Sequence, residues 1–130
     1  MQRNFDLMRA ILLKIEATDS SARELTCRDF TNMDSLKETF SKSDISQHLQ
    51  LLLDNGYIEA TTKRYLREPL EFFVKRITSD GYDYLDAVRD VNIFHKALDK
   101  LRAAGAEISF EAIKAAVTEL VSNGIDNLIN

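Results

Sequence analysis

Apolar residues recur at three- and four-residue spacings at the start of the chain. Asn4 can cap a helix whose apolar stripe consists of Phe5, Met8, Ile11, Leu12 and Ile15. We predict that this helix ends near Thr18, because Asp19, Ser20 and Ser21 form a loop cluster. Residues 24–30 mix strand and loop signals, and we expect a short strand there.

Two serine-led motifs predict the next helix starts. Ser35 and Glu38 fit the capping box, in which a serine oxygen and a glutamate satisfy free amides, so a helix of one or two turns should follow. The segment 41–44 is a second start signal, and Asn55-Gly56 supplies a left-handed stop. The helix between them has an inner face of Ile45, Leu49 and Leu52. Its opposite face is polar and almost uncharged: Ser43, Gln47, Gln50 and Asp54.

Beyond Gly56 the hydrophobic period shortens towards two. The β-branched and aromatic stretches 57–62 and 70–77 flank a polar segment, 63–69, and predict a hairpin with a basic tip. Thr78 should cap a helix that continues to about Asp90, with Tyr82, Leu85 and Val88 facing inward. Two further helices close the chain, the first ended by Gly105 and the second capped by Ser109.

This order of elements is that of a winged helix, a helix-turn-helix followed by a β wing. Residues 45–52 with Asn55-Gly56-Tyr57-Ile58 resemble the recognition helix and first wing strand of small bacterial winged-helix repressors. Over nearly the whole chain, the segments 12–16, 48–56 and 77–90 with the closing helix pair resemble the bacterial and prophage family called domain of unknown function 2513. That resemblance implies a winged-helix fold and a phage-linked genomic setting, and it implies no particular ligand.

The expected fold class is therefore mainly α with a small β-hairpin (α+β). We expect a winged-helix domain over residues 1–90 and a C-terminal helical pair over 91–130 that packs on it.

Composition narrows the class further. A chain of 130 residues with 45% hydrophobic and 29% charged residues is typical of one globular domain. No apolar run approaches the roughly 18–20 residues that span a bilayer, so we expect a cytoplasmic protein without a membrane partner. Cys27 has no second cysteine to pair with, and two histidines beside it do not make a zinc set. We find no catalytic motif, and we expect neither a cofactor nor an enzyme.

The net charge of −4 argues against general adhesion to nucleic acid. A local excess of positive charge lies between residues 63 and 76, where five cations face two carboxylates. Residues that could contact double-stranded DNA are those of the long helix and the hairpin tip. They are Lys42, Ser43, Ser46, Gln47, Gln50, Lys63, Arg64 and Arg67. The alternatives are a solvated helix face, a charged tip that protects the hairpin edge, and a winged-helix adaptor that binds a protein partner.

Three other groups have a structural and a chemical interpretation. His48 lies beside the inner stripe of its helix, which favours a packed imidazole bonded to a backbone carbonyl over a ligand or a catalytic base. Cys27 is either a small core residue or a thiol activated by Arg23 and Arg28. Asp83, Asp86 and Asp90 are a solvated acidic stripe or a cation site.

The closing helices carry more apolar residues than a small winged helix can cover, which predicts a homodimer. The predicted self-association residues are Phe94, Leu98, Leu101, Val117, Leu120 and Val121, with Phe110, Ile125 and Leu128 beside them.

Overall fold

The computed structural model of the chain describes residues 2–18 and 23–129, with side chains described as far as Gly124. It divides into two compact units, Met1–Tyr82 and Asp83–Asn130. The predicted loop cluster at residues 19–21 lies outside the described residues, as do the side chains of Ile125 and Leu128.

The first unit begins with helix α1 (Phe5–Ala17), as predicted. The side chain of Asn4 accepts a hydrogen bond from the Leu7 amide at 2.9 Å, which satisfies one of the free donors of the first turn. The helix ends at Thr18, whose amide donates to the carbonyl of Ile15. The predicted apolar stripe is buried in the core of this unit.

The segment between α1 and the next long helix differs from the prediction. The expected strand at 24–30 is reduced to one antiparallel bridge, in which Leu25 exchanges both backbone hydrogen bonds with Val74. A single 3-10 turn, Cys27–Phe30, follows the bridge.

The helix predicted from the capping box at Ser35 is wrong. Strand β1 (Asn32–Met33) pairs antiparallel with β2 (Glu38–Thr39), and a 3-10 turn, Asp34–Leu36, joins them. Lys37 takes a left-handed conformation with φ of 53°, which ends the turn and directs Glu38 into β2 instead of into a helix.

Helix α2 (Lys42–Asp54) and the hairpin after it form where the sequence predicts them. Ser41 caps α2 by accepting from the Asp44 amide, and Gly56, at φ of 72°, ends it. Strands β3 (Ile58–Lys63) and β4 (Glu71–Ile77) pair antiparallel, with Ile58 opposite Ile77 and a bulge between Glu59 and Ala60. Their inward side chains join the core beneath α2.

Helix α3 (Ser79–Ala87) is shorter than predicted. Thr78 caps it as expected, because its hydroxyl accepts from the Gly81 amide at 3.1 Å. Gly81 lies against the hairpin: a Cβ at this position would stand 2.1 Å from the carbonyl oxygen of Tyr57. The close approach of the two backbones therefore requires glycine.

The second unit is built from the end of α3 and the helices α4 (Val91–Ala103) and α5 (Phe110–Ile129). Asp90 caps α4 by accepting from two amides, and Ser109 caps α5 by accepting from the Ala112 amide. Gly105, at φ of 67°, ends the turn after α4. The two predicted closing helices are confirmed.

The prediction that Tyr82 faces inward is wrong. Tyr82 is 39% exposed, whereas Tyr84 is fully buried with Leu85 and Val88. The Tyr84 ring meets the Phe110 ring edge to face, 4.8 Å between centroids, and this contact orients the end of α3. The observed fold class is mixed α+β and mostly helical, as predicted. Among the described residues, no helix is both long and apolar enough to cross a membrane.

Candidate functional site

A groove of about 500 Å³ lies in the first unit between the exposed face of α2 and the chain that connects β3 to β4. The helix contributes polar side chains, and the connection contributes one cation and an apolar wall. Its lining residues are Ser43, Ser46, Gln47, Gln50, Leu51, Arg64, Pro69 and Leu70.

The connection is fixed to α2 at one end of the groove. The Ser46 hydroxyl donates to the carbonyl of Leu70 at 2.6 Å, and the thiol of Cys27 lies 3.8 Å from the same oxygen. Ser46 is only 6% exposed. Its hydroxyl proton is therefore already engaged in a hydrogen bond. The sequence suggested Ser46 as a donor to a base edge, but this proton is not available for that contact.

The other candidate residues of α2 are exposed or half-buried. Ser43 and Gln47 are exposed, and Lys42 is exposed at the first turn. Gln50 donates its amide to the carboxylate of Asp54 at 2.7 Å, one helical turn further on. This contact uses one of the two amide N–H donors of Gln50 and leaves the other donor and the amide oxygen available to a ligand.

The three predicted cations of the hairpin are exposed but differ in position. Arg64 lines the groove. The Lys63 ammonium lies 5.1 Å from the centroid of the Tyr65 ring, a cation–π distance. Arg67 has a positive φ of 62° in the turn at the tip. The structure thus gathers Ser43, Ser46, Gln47, Gln50 and Arg64 in one groove, and leaves Lys42, Lys63 and Arg67 outside its lining.

A smaller cavity of about 110 Å³ adjoins the groove and includes Cys27, Lys42 and Glu71 in its lining. Burial, followed by the neighbouring Glu71 carboxylate, raises the pKa of the Cys27 thiol to about 12. A protonated thiol that is 2% exposed is a core residue, so the activated-thiol alternative is wrong.

Glu71 is held as a carboxylate in this cavity. Its burial would raise the pKa, but hydrogen bonds from the backbone amides of Cys27 and Phe72, at 2.9 and 3.0 Å, outweigh burial and lower the pKa of Glu71. The carboxylate links the start of β4 to the 3-10 turn at Cys27.

His48 is buried, 3% exposed, as predicted. Its Nδ1 lies 2.7 Å from the carbonyl oxygen of Asp44, and its Nε2 accepts from the Asn4 amide at 2.9 Å. Both ring nitrogens are therefore engaged with backbone groups, which confirms the packed imidazole.

The acidic stripe predicted at Asp83, Asp86 and Asp90 does not form a single site in the structure. Asp86 pairs with Arg89 at 2.8 Å, and Asp90 caps α4. Within the described part of the chain, no group of His, Cys, Asp or Glu side chains is arranged to hold a metal ion.

The predicted self-association residues are mostly covered by their own chain. Phe94, Leu98 and Val117 are buried, Leu101 and Leu120 are half-buried, and Val121 is 42% exposed. The apolar surface left for a second copy is therefore smaller than the sequence suggested.

Sequence reasoning missed the apolar part of the site. Pro69 and Leu70 form one wall of the groove, and Tyr65 and Leu66 are exposed at the hairpin tip. The sequence did contain a signal for the exposed pair, because Tyr65 and Leu66 are adjacent apolar residues between Arg64 and Arg67 in an otherwise polar turn segment.

The fold and the groove define a small α+β protein in which a polar helix face lies beside a cationic hairpin. The chain belongs to the family described as "Hypothetical protein (DUF2513)", which matches residues 2–107. An uncharacterized protein of Haemophilus influenzae is 31% identical over 122 residues, which cover 94% of this chain and 97% of that protein. The crystal structure of smu.1704 from Streptococcus mutans UA159 is 14% identical with a TM-score of 0.44, covering 78% of this chain and 92% of that chain.

Proposed function

We propose that the chain is a DNA-binding module of the transcription-regulator type, in which α2 enters the major groove and the β3–β4 hairpin acts as a wing. One observation carries the proposal: the groove brings the exposed polar stripe of α2 together with Arg64 of the hairpin. Gln47 and Gln50 can read base edges, while Arg64 can neutralise a phosphate beside them.

The arrangement of elements supports a winged-helix interpretation. The Leu25–Val74 bridge adds a residual third strand to the hairpin, and the 3-10 turn at Cys27–Phe30 stands where a helix-turn-helix has its first helix. In this interpretation α2 is the recognition helix, and its buried face of Ile45, Leu49 and Leu52 anchors it to the core.

Charge sets the expected strength of binding. The candidate surface carries the cations Lys42, Lys63, Arg64 and Arg67, and the carboxylates Asp44, Asp54 and Glu68. So small a positive excess allows only a few phosphate contacts. We therefore expect weak binding to random duplex, with a Kd of about 10⁻⁴–10⁻⁶ M, and a slope of log affinity against log salt of about −0.9 for each phosphate contact.

Fluorescence anisotropy with a labelled random duplex at low salt tests the proposal, followed by selection from a library of duplexes. We expect measurable binding and at least one enriched sequence. Arg64→Glu should abolish retention, while Arg102→Glu, at a similarly exposed arginine of α4, should change it little. No retention at low salt together with no enriched sequence would overturn the proposal.

A second candidate is a winged-helix adaptor that binds a protein. It is favoured by the exposed carboxylates Asp44 and Asp54 on α2 and by the apolar wall of Pro69 and Leu70 in the groove. In this alternative the groove accepts a peptide segment. Loss of a protein complex on Gln47→Arg, with no duplex binding by the parent chain, would favour it.

A further inference from the structure

The tip of the β3–β4 hairpin exposes a large apolar side chain. Of the described residues, Leu66 is the most exposed large hydrophobic residue, at 89%, and its neighbour Tyr65 is 43% exposed. Burying a leucine side chain against a partner is favourable, at roughly 1.5–3 kcal/mol for full burial. Leu66 is therefore the apolar side chain that the tip can offer to a partner.

The backbone presents Leu66 at the apex of a tight turn. The amide of Glu68 donates to the carbonyl of Tyr65 at 3.3 Å, which closes a four-residue turn with Leu66 in its second position. Arg67, in the third position, has φ of 62°, where type II turns ordinarily use glycine or asparagine. The turn keeps an arginine at a position where a glycine would be less strained.

The surroundings of Leu66 are cationic. Lys63, Arg64 and Arg67 lie within four positions of it, and Glu68 is the one carboxylate of the connection. The Lys63 ammonium lies over the Tyr65 ring, which keeps that charge at the tip. An exposed apolar residue with cations on both sides of it in the sequence is complementary to an anionic partner that also offers an apolar slot.

The end of the connection nearest β4 is anchored to α2. Pro69 and Leu70 return the chain to the helix, and the Ser46 hydroxyl holds the Leu70 carbonyl at 2.6 Å. Arg64 lies in the same groove as Gln47. A duplex that places its major groove against α2 would therefore bring an adjacent minor groove towards the hairpin.

We propose that Leu66 is an apolar wedge that enters the minor groove and partly unstacks one base step, while Arg64 and Arg67 contact the flanking backbone. The inference rests on the proposed function, and it assigns the substrate class as duplex DNA with a readily deformed pyrimidine–purine step in A·T-rich sequence. Such steps unstack at low cost, and the minor groove of A·T-rich DNA attracts arginine.

The test uses the full chain and an A·T-rich duplex that carries 2-aminopurine at a central TA step. Binding is followed by anisotropy of a separate terminal dye, so that binding and unstacking are measured independently. We expect 2-aminopurine fluorescence to rise on saturation by the parent chain. With Leu66→Ser that rise should be lost and the affinity should fall about tenfold. Because Leu66 is 89% exposed, thermal melting of the variant should match the parent.

Val91→Ser is the matched control, since Val91 is an apolar residue of α4 that is 42% exposed. It should leave both signals unchanged. A small-molecule minor-groove binder should compete with the parent chain and should compete less with Leu66→Ser.

The outcomes separate the inference from the proposed function. Duplex binding without a fluorescence rise, and with equal affinity for Leu66→Ser, overturns the wedge while the DNA-binding proposal stands. No duplex binding at low salt overturns both. Leu66-dependent binding to anionic phosphatidylserine vesicles, with none to duplex, overturns the wedge and assigns the tip to a lipid surface.

Discussion

His48 links two helices of the first unit through both of its ring nitrogens. Because Nδ1 faces a carbonyl oxygen at 2.7 Å, it must carry the proton, and Nε2 is then free to accept from the Asn4 amide at 2.9 Å. The same Asn4 caps α1 with its side chain. The imidazole is therefore part of the start of α1 as well as of the first turns of α2.

His48→Asn should lower the free energy of unfolding by about 2 kcal/mol, because one buried backbone group loses its partner and the smaller side chain leaves space. Thermal and urea denaturation measure the change. The exposed His95 provides the control, and His95→Asn should stay within about 0.5 kcal/mol of the parent. A selective loss of ligand binding at unchanged stability would contradict a packing role for His48.

Gly81→Ala should destabilise the chain by about 3 kcal/mol, the upper part of the range for overpacking, because the new methyl group meets the Tyr57 backbone. Gly124→Ala is the control, and its expected effect has the opposite sign. Gly124 has open space around it in the C-terminal half of α5, so alanine there should stabilise by about 0.5–1 kcal/mol. If urea denaturation gave the same change in the free energy of unfolding for both variants, helix propensity alone would explain the effect, and the contact with the Tyr57 backbone would not contribute.

At the scale of elements, the helices and the long hairpin were predictable because their signals are local. Asn4, Ser41 and Ser109 each accept the amide expected of a cap. The segment 23–40 was not predictable in this way, since its conformation depends on contacts far along the chain. Leu25 bonds to Val74, and Cys27 bonds to Glu71.

The candidate site was predictable in part for the same reason. The polar stripe of α2 follows from helical spacing, so Ser43, Gln47 and Gln50 were found. The engagement of Ser46 by Leu70 depends on how the hairpin connection folds back, and no local pattern encodes that contact. Likewise, the burial of Tyr84 instead of Tyr82 depends on Phe110, which lies in α5.

The Glu71 carboxylate makes the contact between the start of β4 and the 3-10 turn at Cys27 dependent on pH. Its pKa is lowered in the folded chain, so its contribution to stability is complete above the unfolded value of about 4.3 and is lost as the pH falls through the folded pKa. Glu71→Gln should cost about 1 kcal/mol at pH 7. The difference between parent and variant in urea denaturation should shrink below pH 4; a constant difference would contradict the assignment.

Two substitutions separate the proposed roles of α2 and the hairpin. Arg64→Ala should flatten the slope of log affinity against log salt by about one unit on any duplex, because one phosphate contact is lost. Gln47→Ala should leave that slope unchanged and relax the preference at one base pair by roughly 1–3 kcal/mol. Competition binding on a selected sequence and its single-position variants measures both; a change of slope for Gln47→Ala would contradict base readout.

At the scale of the whole molecule, charge is unevenly distributed. The chain carries a net charge of −4, while residues 63–70 at the hairpin tip carry three cations and one carboxylate. Long-range attraction to an anionic polymer is therefore weak, and any binding depends on the local surface. A second copy of the chain would double the number of cations that one duplex meets, so self-association bears directly on the proposed function.

Self-association through the closing helices stays a prediction, and the structure narrows it to one patch. The ion pair between Lys100 and Glu119, at 2.8 Å, joins the end of α4 to α5 close to the half-buried Leu101 and Leu120. Val121 is 42% exposed beside them. We expect a dimer at micromolar concentration that involves Leu101, Leu120 and Val121, because among the predicted self-association residues these three still have apolar surface to bury.

Size-exclusion chromatography with light scattering tests the dimer on the full chain. Val121→Asp should convert it to a monomer, because a pair of buried like charges at a symmetric interface is strongly unfavourable. Val91→Asp, at an equally exposed valine near the start of α4, should leave the dimer intact. A parent chain that is monomeric at about 100 µM, or a dimer that survives Val121→Asp, would contradict the prediction, and the proposed DNA contact would then come from a single hairpin and a single α2.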